Sequence, residues 1–219
     1  MLQRMFFVLL ISLFSIRAEA ATVELLDRPI EIIIPSGYCE VGGQPEDKEI
    51  VNRTKEAIGI NNQVLALFAD CKELKEFRKG KRAAFDNYGQ ILAQTPKGQL
   101  RAQKDISRDE YIKKIGGSNL SEACKKAQAR AKQYIPGYQN FENLGVLSTD
   151  SNGIYVGLLM SMTDDTGKIK PIVGIVGITL VKELPISINL YQAYKGSPNL
   201  QSLLTLQKTA IANFVRKNN

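Results

Sequence analysis

The chain contains no histidine. Ser-His-Asp and Cys-His catalysis therefore lack their base, and every metal site that needs an imidazole is excluded. The three cysteines, Cys39, Cys71 and Cys124, are not arranged as CxxC, which argues against a thioredoxin-like redox pair and a zinc knuckle. Neither GxxxxGK[ST] nor GxGxxG occurs. The nearest glycine pattern, Gly174-Ile175-Val176-Gly177, sits inside an apolar run, where small residues permit close packing or a kink rather than phosphate binding. Asp150, Asp164 and Asp165 lie in polar turns, and TDDTGK lacks the spaced ligands and closing glutamate of a calcium loop. A Ser-Lys dyad needs no fixed spacing, and Ser161 and Lys168 flank one expected hairpin. A hydrolase using Ser or Cys without histidine is therefore kept as an alternative, its thiol form falling back on Cys124. The principal expectation is a non-enzyme with no catalytic residues, no metal and no cofactor.

The N-terminus carries a different message. Arg4 precedes a run, Met5 to Ile16, that is apolar but for Ser12 and Ser15 and carries no charge, and Ala18-Glu19-Ala20 places small side chains where a signal peptidase reads them. Arg17 stops the run well short of the roughly 20 apolar residues of a spanning helix. Residues 1–20 are expected to be a cleaved export signal, with 21–219 forming one domain of a periplasmic or secreted protein. No later segment has the length to span a bilayer; the longest apolar stretch, Ile172 to Val181, is interrupted by Gly174, Gly177 and Thr179. In an oxidising compartment a disulfide becomes plausible. Cys39 follows the first long strand and Cys71 the next, so neighbouring strand ends would bring these two thiols into bridging range. Cys124, in an alanine-rich helix, reads as a buried small side chain.

The whole chain has 29 basic and 22 acidic residues, net +7; without the leader the balance is 27 to 21. The excess is densest at Lys72, Lys75, Arg78, Lys79, Lys81 and Arg82, with a second group at Lys125, Lys126, Arg130 and Lys132. Neither has the interleaved aromatics of a single-strand binder, so no specific nucleic acid is expected. Tyr134 and Tyr138 flank Pro136-Gly137, and Tyr191, Tyr194 and Lys195 end the last strand. Tyrosines offer an apolar body with a polar tip, and this set is the candidate interaction surface for a protein partner.

Around these residues the elements follow from spacing and turn chemistry. Short strands are expected at Thr22–Leu26 and Ile30–Ile34, then a helix opening at Pro45 with Ile50, Val51, Ala57 and Ile58 on its apolar side. Val64–Ala69 reads as a strand covered on both faces, Cys71–Arg78 as one or two helical turns, and Asn87–Gln94 as a further strand. Ser107 and Glu110 form a capping box, with Ile106 and Tyr111 as its staple. The next helix, Ser121–Tyr134, carries Ala123, Ala127 and Ala131 on one side for close packing. Strands at Leu144–Ser148, Ile154–Met162, Ile169–Val181 and Ile186–Tyr191 are joined by links too short for a parallel crossover, so they must be antiparallel. One of those links is Glu183-Leu184-Pro185. Both faces of Ile169–Val181 are apolar, which places it centrally under two layers of cover. Ser197–Lys217, with Leu200, Leu203, Leu204, Ile211, Phe214 and Val215 in a stripe, supplies one layer. The expected architecture is an α+β, three-layer α/β/α sandwich around a mostly antiparallel sheet.

This order of elements, with IEIIIPSGYC, VLALFADC, SRDEYIKKI and IVGIVGITLVKELPISINLYQAY in sequence, resembles the Mog1/PsbP-like fold and exported proteobacterial proteins that share the PSGYC and FADC segments. The resemblance implies an accessory or binding protein, as photosystem assembly subunits, a nuclear transport factor and bacterial secretion adaptors are in that fold group. It carries no functional residues across. The combined expectation is an exported accessory protein of the bacterial envelope acting through protein–protein contacts. The alternative from another class is a secreted factor of a host-associated bacterium acting on a host partner.

Overall fold

The computed structural model describes residues 21–118, 120–135, 137–163, 167–195 and 197–219; the side chains of residues 120, 121, 123, 197 and 198 lie outside that description. Residues 1–20, which carry the expected export signal, and Asp164 and Asp165 of the TDDTGK turn also lie outside it. At its start, Thr22–Leu25 (β1) and Arg28–Glu31 (β2) form a two-stranded antiparallel ribbon. Its turn residues, Leu26 and Asp27, have φ of 50° and 59°. Two left-handed residues match the right-handed twist of the flanking strands. The ribbon does not join the main sheet. Its apolar side chains, Leu25 and Ile30, are instead buried in the core shared with the last helix.

After the Pro35-Ser36-Gly37 turn comes a strand that sequence patterning did not resolve, Tyr38–Val41 (β3). The chain then enters helix Lys48–Ile58 (α1), strand Asn62–Asp70 (β4), helix Cys71–Phe77 (α2) and strand Asn87–Gln94 (β5). Helices Arg108–Gly116 (α3) and Leu120–Tyr134 (α4) follow. The capping box of α3 is in place. Ser107 Oγ accepts from the Glu110 N–H at 3.2 Å and Glu110 Oε2 accepts from the Ser107 N–H at 2.8 Å, while Ile106 packs in the cluster that holds Tyr111.

The meander then runs through Tyr138–Thr149 (β6), Ile154–Thr163 (β7), Ile169–Val181 (β8) and Leu184–Ala193 (β9) to the final helix, Ser197–Asn218 (α5). Seven strands form one antiparallel sheet in the order β3-β4-β5-β9-β8-β7-β6. Three expected boundaries shift. β6 begins six residues before Leu144, because its early residues pair with the far end of β7. The turn expected at Glu183-Leu184-Pro185 sits at Lys182–Glu183, both left-handed (φ 46° and 64°), and Leu184 and Pro185 already pair with Val181 and Leu180. Ile32, Ile33 and Ile34 follow β2 as irregular chain, with the Ile32 N–H donating to the Ala21 carbonyl at 2.7 Å, and pack into the core.

The two faces of β8 decide the layers. Val173, Ile175 and Val181 lie on one side with Phe68, Ile91, Ile186, Ile188 and Leu190 against Leu203, Ile211, Phe214 and Val215 of α5. Ile178 and Leu180 lie on the other side, under Tyr111 and Ile112 of α3. Further along that second face, α1 and α2 cover Val41, Leu67 and Ala69. Burying each large aliphatic side chain contributes about 1.5–3 kcal/mol, so these two apolar faces outweigh any single turn or cap. The architecture is an α/β/α sandwich. Its GxxG pair is explained by close approach. A Cβ on Gly174 would meet the Tyr191 ring at 2.7–2.8 Å, and one on Gly177 would collide with Gln207 and lie 2.9 Å from Ile211 Cγ1 of α5.

Helix α4 departs from expectation. Ala127 and Ala129 are exposed, and the inward stripe is Cys124, Gln128, Ala131 and Tyr134 at i, i+4, i+7 and i+10 spacing. Alanine alone does not settle which side of a helix packs; here the larger side chains do. Among the described residues no helix is long and apolar enough to cross a membrane.

Candidate functional site

β3 pairs only with residues 67–70 of β4. It ends at Val41 because the chain turns away at Gly42, whose N–H donates to Asp47 Oδ2 at 2.8 Å. Asp47 has no exposed surface, and Arg78 grips it with two bonds, Nε to Oδ1 at 3.0 Å and Nη2 to Oδ2 at 2.6 Å. The Arg78 guanidinium, with the Gly42 and Gln44 amides, holds the Asp47 carboxyl below its usual range. This ion pair fixes the point at which β3 stops.

Beyond that point, among the described residues, β4 has no strand on its outer side from Asn62 to Ala66. A cleft of about 710 Å³ lies there, lined by Lys55, Glu56, Gly59, Ile60, Asn62, Gln63, Val64, Arg130 and Tyr134. Three successive residues of one strand line it, and no residue of β5 does. Side chains of successive strand residues alternate between faces, so the cleft follows the free margin of β4 rather than lying over one face. Its far wall is built by Arg130. The guanidinium donates to the carbonyls of Glu56 (2.7 Å) and Ala57 (3.3 Å), the last turn of α1, where a cation is favoured. It also lies 5.1 Å from the centre of the Tyr134 ring. Tyr134 is thus the one member of the expected tyrosine set that reaches this cleft. Lys55 and Ile60 are exposed at its mouth, Ile60 with 71% of its surface free.

The other tyrosines do not form a common surface. Tyr191 stacks on Tyr88, centroids 4.9 Å apart, on the α1–α2 side of the sheet. Burial pushes its hydroxyl up to about 12, against hydrogen bonds from Asn189 and Gln90 that lower it. Tyr194 packs into the core on the α5 side. Tyr138 is half-buried with a hydroxyl that has no partner among the described residues. Lys195 is exposed, its N–H donating to Asn199. Tyr191 and Tyr194, on opposite sides of one sheet, are packing residues.

The Lys72–Arg82 group divides in the same way. Lys72, Lys75, Lys79 and Lys81 are exposed. Arg78 is committed to Asp47, and Arg82 bridges Glu73 and Asp86, each at 3.0 Å. Glu73 also accepts from the amides of Asp86 and Asn87, tying the 78–86 loop to α2. Both arginines do structural work inside the fold.

Cys39 and Cys71 form a disulfide, with Cα atoms 4.9 Å apart. The geometry differs from two adjoining strand ends. Cys39 lies within β3 opposite Ala69, and Cys71 is two residues further along at the first position of α2. Cys124 is free and half-buried, and burial raises its thiol above the ordinary range. A raised thiol is a poor nucleophile at neutral pH. Ser161 pairs across to Pro171 in β7–β8, while Lys168 is exposed just before β8 begins. Among the described residues no cluster of three or more Cys, Asp or Glu is arranged to hold a metal.

The margin of β4 was not anticipated. Its sequence signal is the polar Asn61-Asn62-Gln63 run leading into VLALFA, which marks the wet half of a strand whose second half is buried.

No protein-family profile matches the chain. No curated protein matches it either. Among solved structures it is similar to the solution structure of cyanobacterial PsbP (CyanoP) from Synechocystis sp. PCC 6803, at 14% identity and a TM-score of 0.39, covering 92% of this chain and 96% of that one. That is a likeness of outline, and no residue role follows from it.

Proposed function

We propose that this protein is an exported accessory protein that works by binding another protein, with residues 1–20 as its leader and 21–219 as one domain. The observation that carries the reading is the composition of the cleft beside β4. Its lining combines cations, amides, an aromatic ring and exposed aliphatic carbon, and holds no Ser, Thr or Cys nucleophile. Arg130 and Tyr134 are engaged with α1 and with each other, which suits a rigid recognition wall. A disulfide between Cys39 and Cys71 supports a compartment outside the reducing cytosol. The bacterial envelope is the compartment that accords with the leader.

The test is photo-crosslinking of the full protein in its native cells, with the crosslinker at Gln63 on the cleft and, separately, at exposed Lys72. A discrete adduct from Gln63 that Lys72 does not give is expected. Turnover of a small-molecule ester or amide panel by the purified protein, with no adduct at either site, would instead favour the Ser- or Cys-dependent hydrolase.

A further inference from the structure

We infer that the outer margin of β4 between Asn62 and Ala66 is a docking rail for an extended, acidic segment of a partner protein, which pairs there as an added strand. The inference rests on the binding role just proposed and specifies its mode. The Thr95 N–H donates to the Asn61 carbonyl at 2.8 Å, so Asn61 turns its backbone groups toward β5. Alternation along an antiparallel strand then turns those of Asn62 and Val64 outward. Leu67, next to the free stretch, meets Val41 of β3. An incoming segment would therefore continue the row that β3 begins and vacates at Gly42.

The opposite margin of the sheet is guarded. β6 runs 12 residues with register breaks between Tyr138 and Asn140, between Asn143 and Gly145, and between Val146 and Ser148. Repeated bulges twist an edge away from foreign strands. The free stretch of β4 has a single irregularity, between Val64 and Ala66, and it is walled by α4 and the end of α1. Strand addition draws its affinity from main-chain bonds and its selectivity from pockets for alternate side chains. Val64, Ile60 and the Tyr134 ring offer apolar contact. Lys55 and Arg130 outnumber Glu56 in the lining, and α4 also carries Lys125, Lys126 and Lys132, of which Lys126 pairs with Glu122, in a chain of net charge +7. Carboxylates on the partner segment meet that field.

The experiment uses the disulfide-bonded protein and a fluorescein-labelled peptide of four Glu-Val repeats. It is compared with the same peptide N-methylated at alternate residues and with a Gln-Val version. Expected are saturable binding by anisotropy, at least tenfold weaker binding after N-methylation, and weaker binding of the Gln-Val peptide. Val64→Pro removes one outward N–H and should lose at least tenfold while the melting temperature reports folding. Lys55→Glu, on an exposed side chain, checks the charge without touching the strand. Equal binding of methylated and unmethylated peptides, or no binding of the acidic peptide, would overturn the rail. If the Gln63 crosslink to a native partner persisted in that event, the binding role would stand and only its mode would fall.

Discussion

Asn218, the last residue of α5, completes the backbone hydrogen bonding of Glu31, 187 residues earlier. Its Oδ1 accepts from the Glu31 N–H at 2.8 Å, and its Nδ2 donates to the Glu31 carbonyl at 3.0 Å and to the Phe214 carbonyl at 3.0 Å. A side-chain amide thus stands where a third strand of the β1–β2 ribbon would be. Asn218 has no exposed surface, so deleting the amide leaves both Glu31 groups without their partner. Asn218→Ala should cost about 2–3 kcal/mol, read by urea denaturation. Asn218→Asp would place a carboxylate opposite a carbonyl and should cost more. Equal stability of all three proteins would mean that the helix end is not anchored this way.

The disulfide closes a loop with a sequence separation of 32. Replacing both cysteines with serine should lower stability by about 3–4 kcal/mol by the chain-entropy argument. Thiol titration of the unfolded, unreduced mature protein should find one reactive group, Cys124, and three after reduction. Three before reduction would remove the bond and the compartment argument resting on it.

Asp47 supplies a pH signature. Its folded pKa lies below the unfolded value, so its contribution is fully present above the ordinary carboxylate pKa of about 4 and is lost as pH falls through the lower folded value. The stability gap between the parent and Asp47→Asn should therefore be constant from pH 8 to about 5 and shrink at lower pH. At neutral pH, Arg78→Ala should cost about 3 kcal/mol by stranding a buried carboxylate. A gap that widened below pH 4 would contradict the sign.

Gly177→Ala drives a methyl group into Gln207 and Ile211 of α5. Gln207 is fully buried, and its Nε2 donates to the Ile188 carbonyl at 2.8 Å, so it cannot swing out freely. A loss of about 1–3 kcal/mol is expected, measured by thermal melting. Pairing it with Gln207→Ala should recover much of that loss, since the obstructing amide is gone. No recovery would place the conflict with Ile211 alone.

The meander was legible because β8 is apolar on both sides and its links are short; those two facts leave little topological choice. The α3 cap was legible because Ser107 and Glu110 act locally. β3 was not, since four residues after a turn carry too little periodicity, and its place depends on Asp47 and Arg78, distant in sequence. The tyrosines misled for a related reason. Tyr191 and Tyr194 look alike on the page, yet their three-residue offset sends them to opposite sides of a strand. The cleft lay furthest from view. It needs Arg130 to reach the end of α1, more than 70 residues away, and no local pattern announces such a clamp.

The amide bridge from Asn218 to Glu31 also sets the start of the β1–β2 ribbon beside the end of α5. Thr22 is the cross-strand partner of Glu31, so residue 22, Glu31 and the end of α5 form one lateral row. Neighbouring strands in such a row sit about 5 Å apart, and the Asn218 side chain spans the remaining gap to α5. In a version of the protein that starts at residue 21, a few glycines would suffice to join residue 219 to residue 21, and a circular permutant reopened at the exposed Gly80–Lys81 turn should keep the layers of the sandwich.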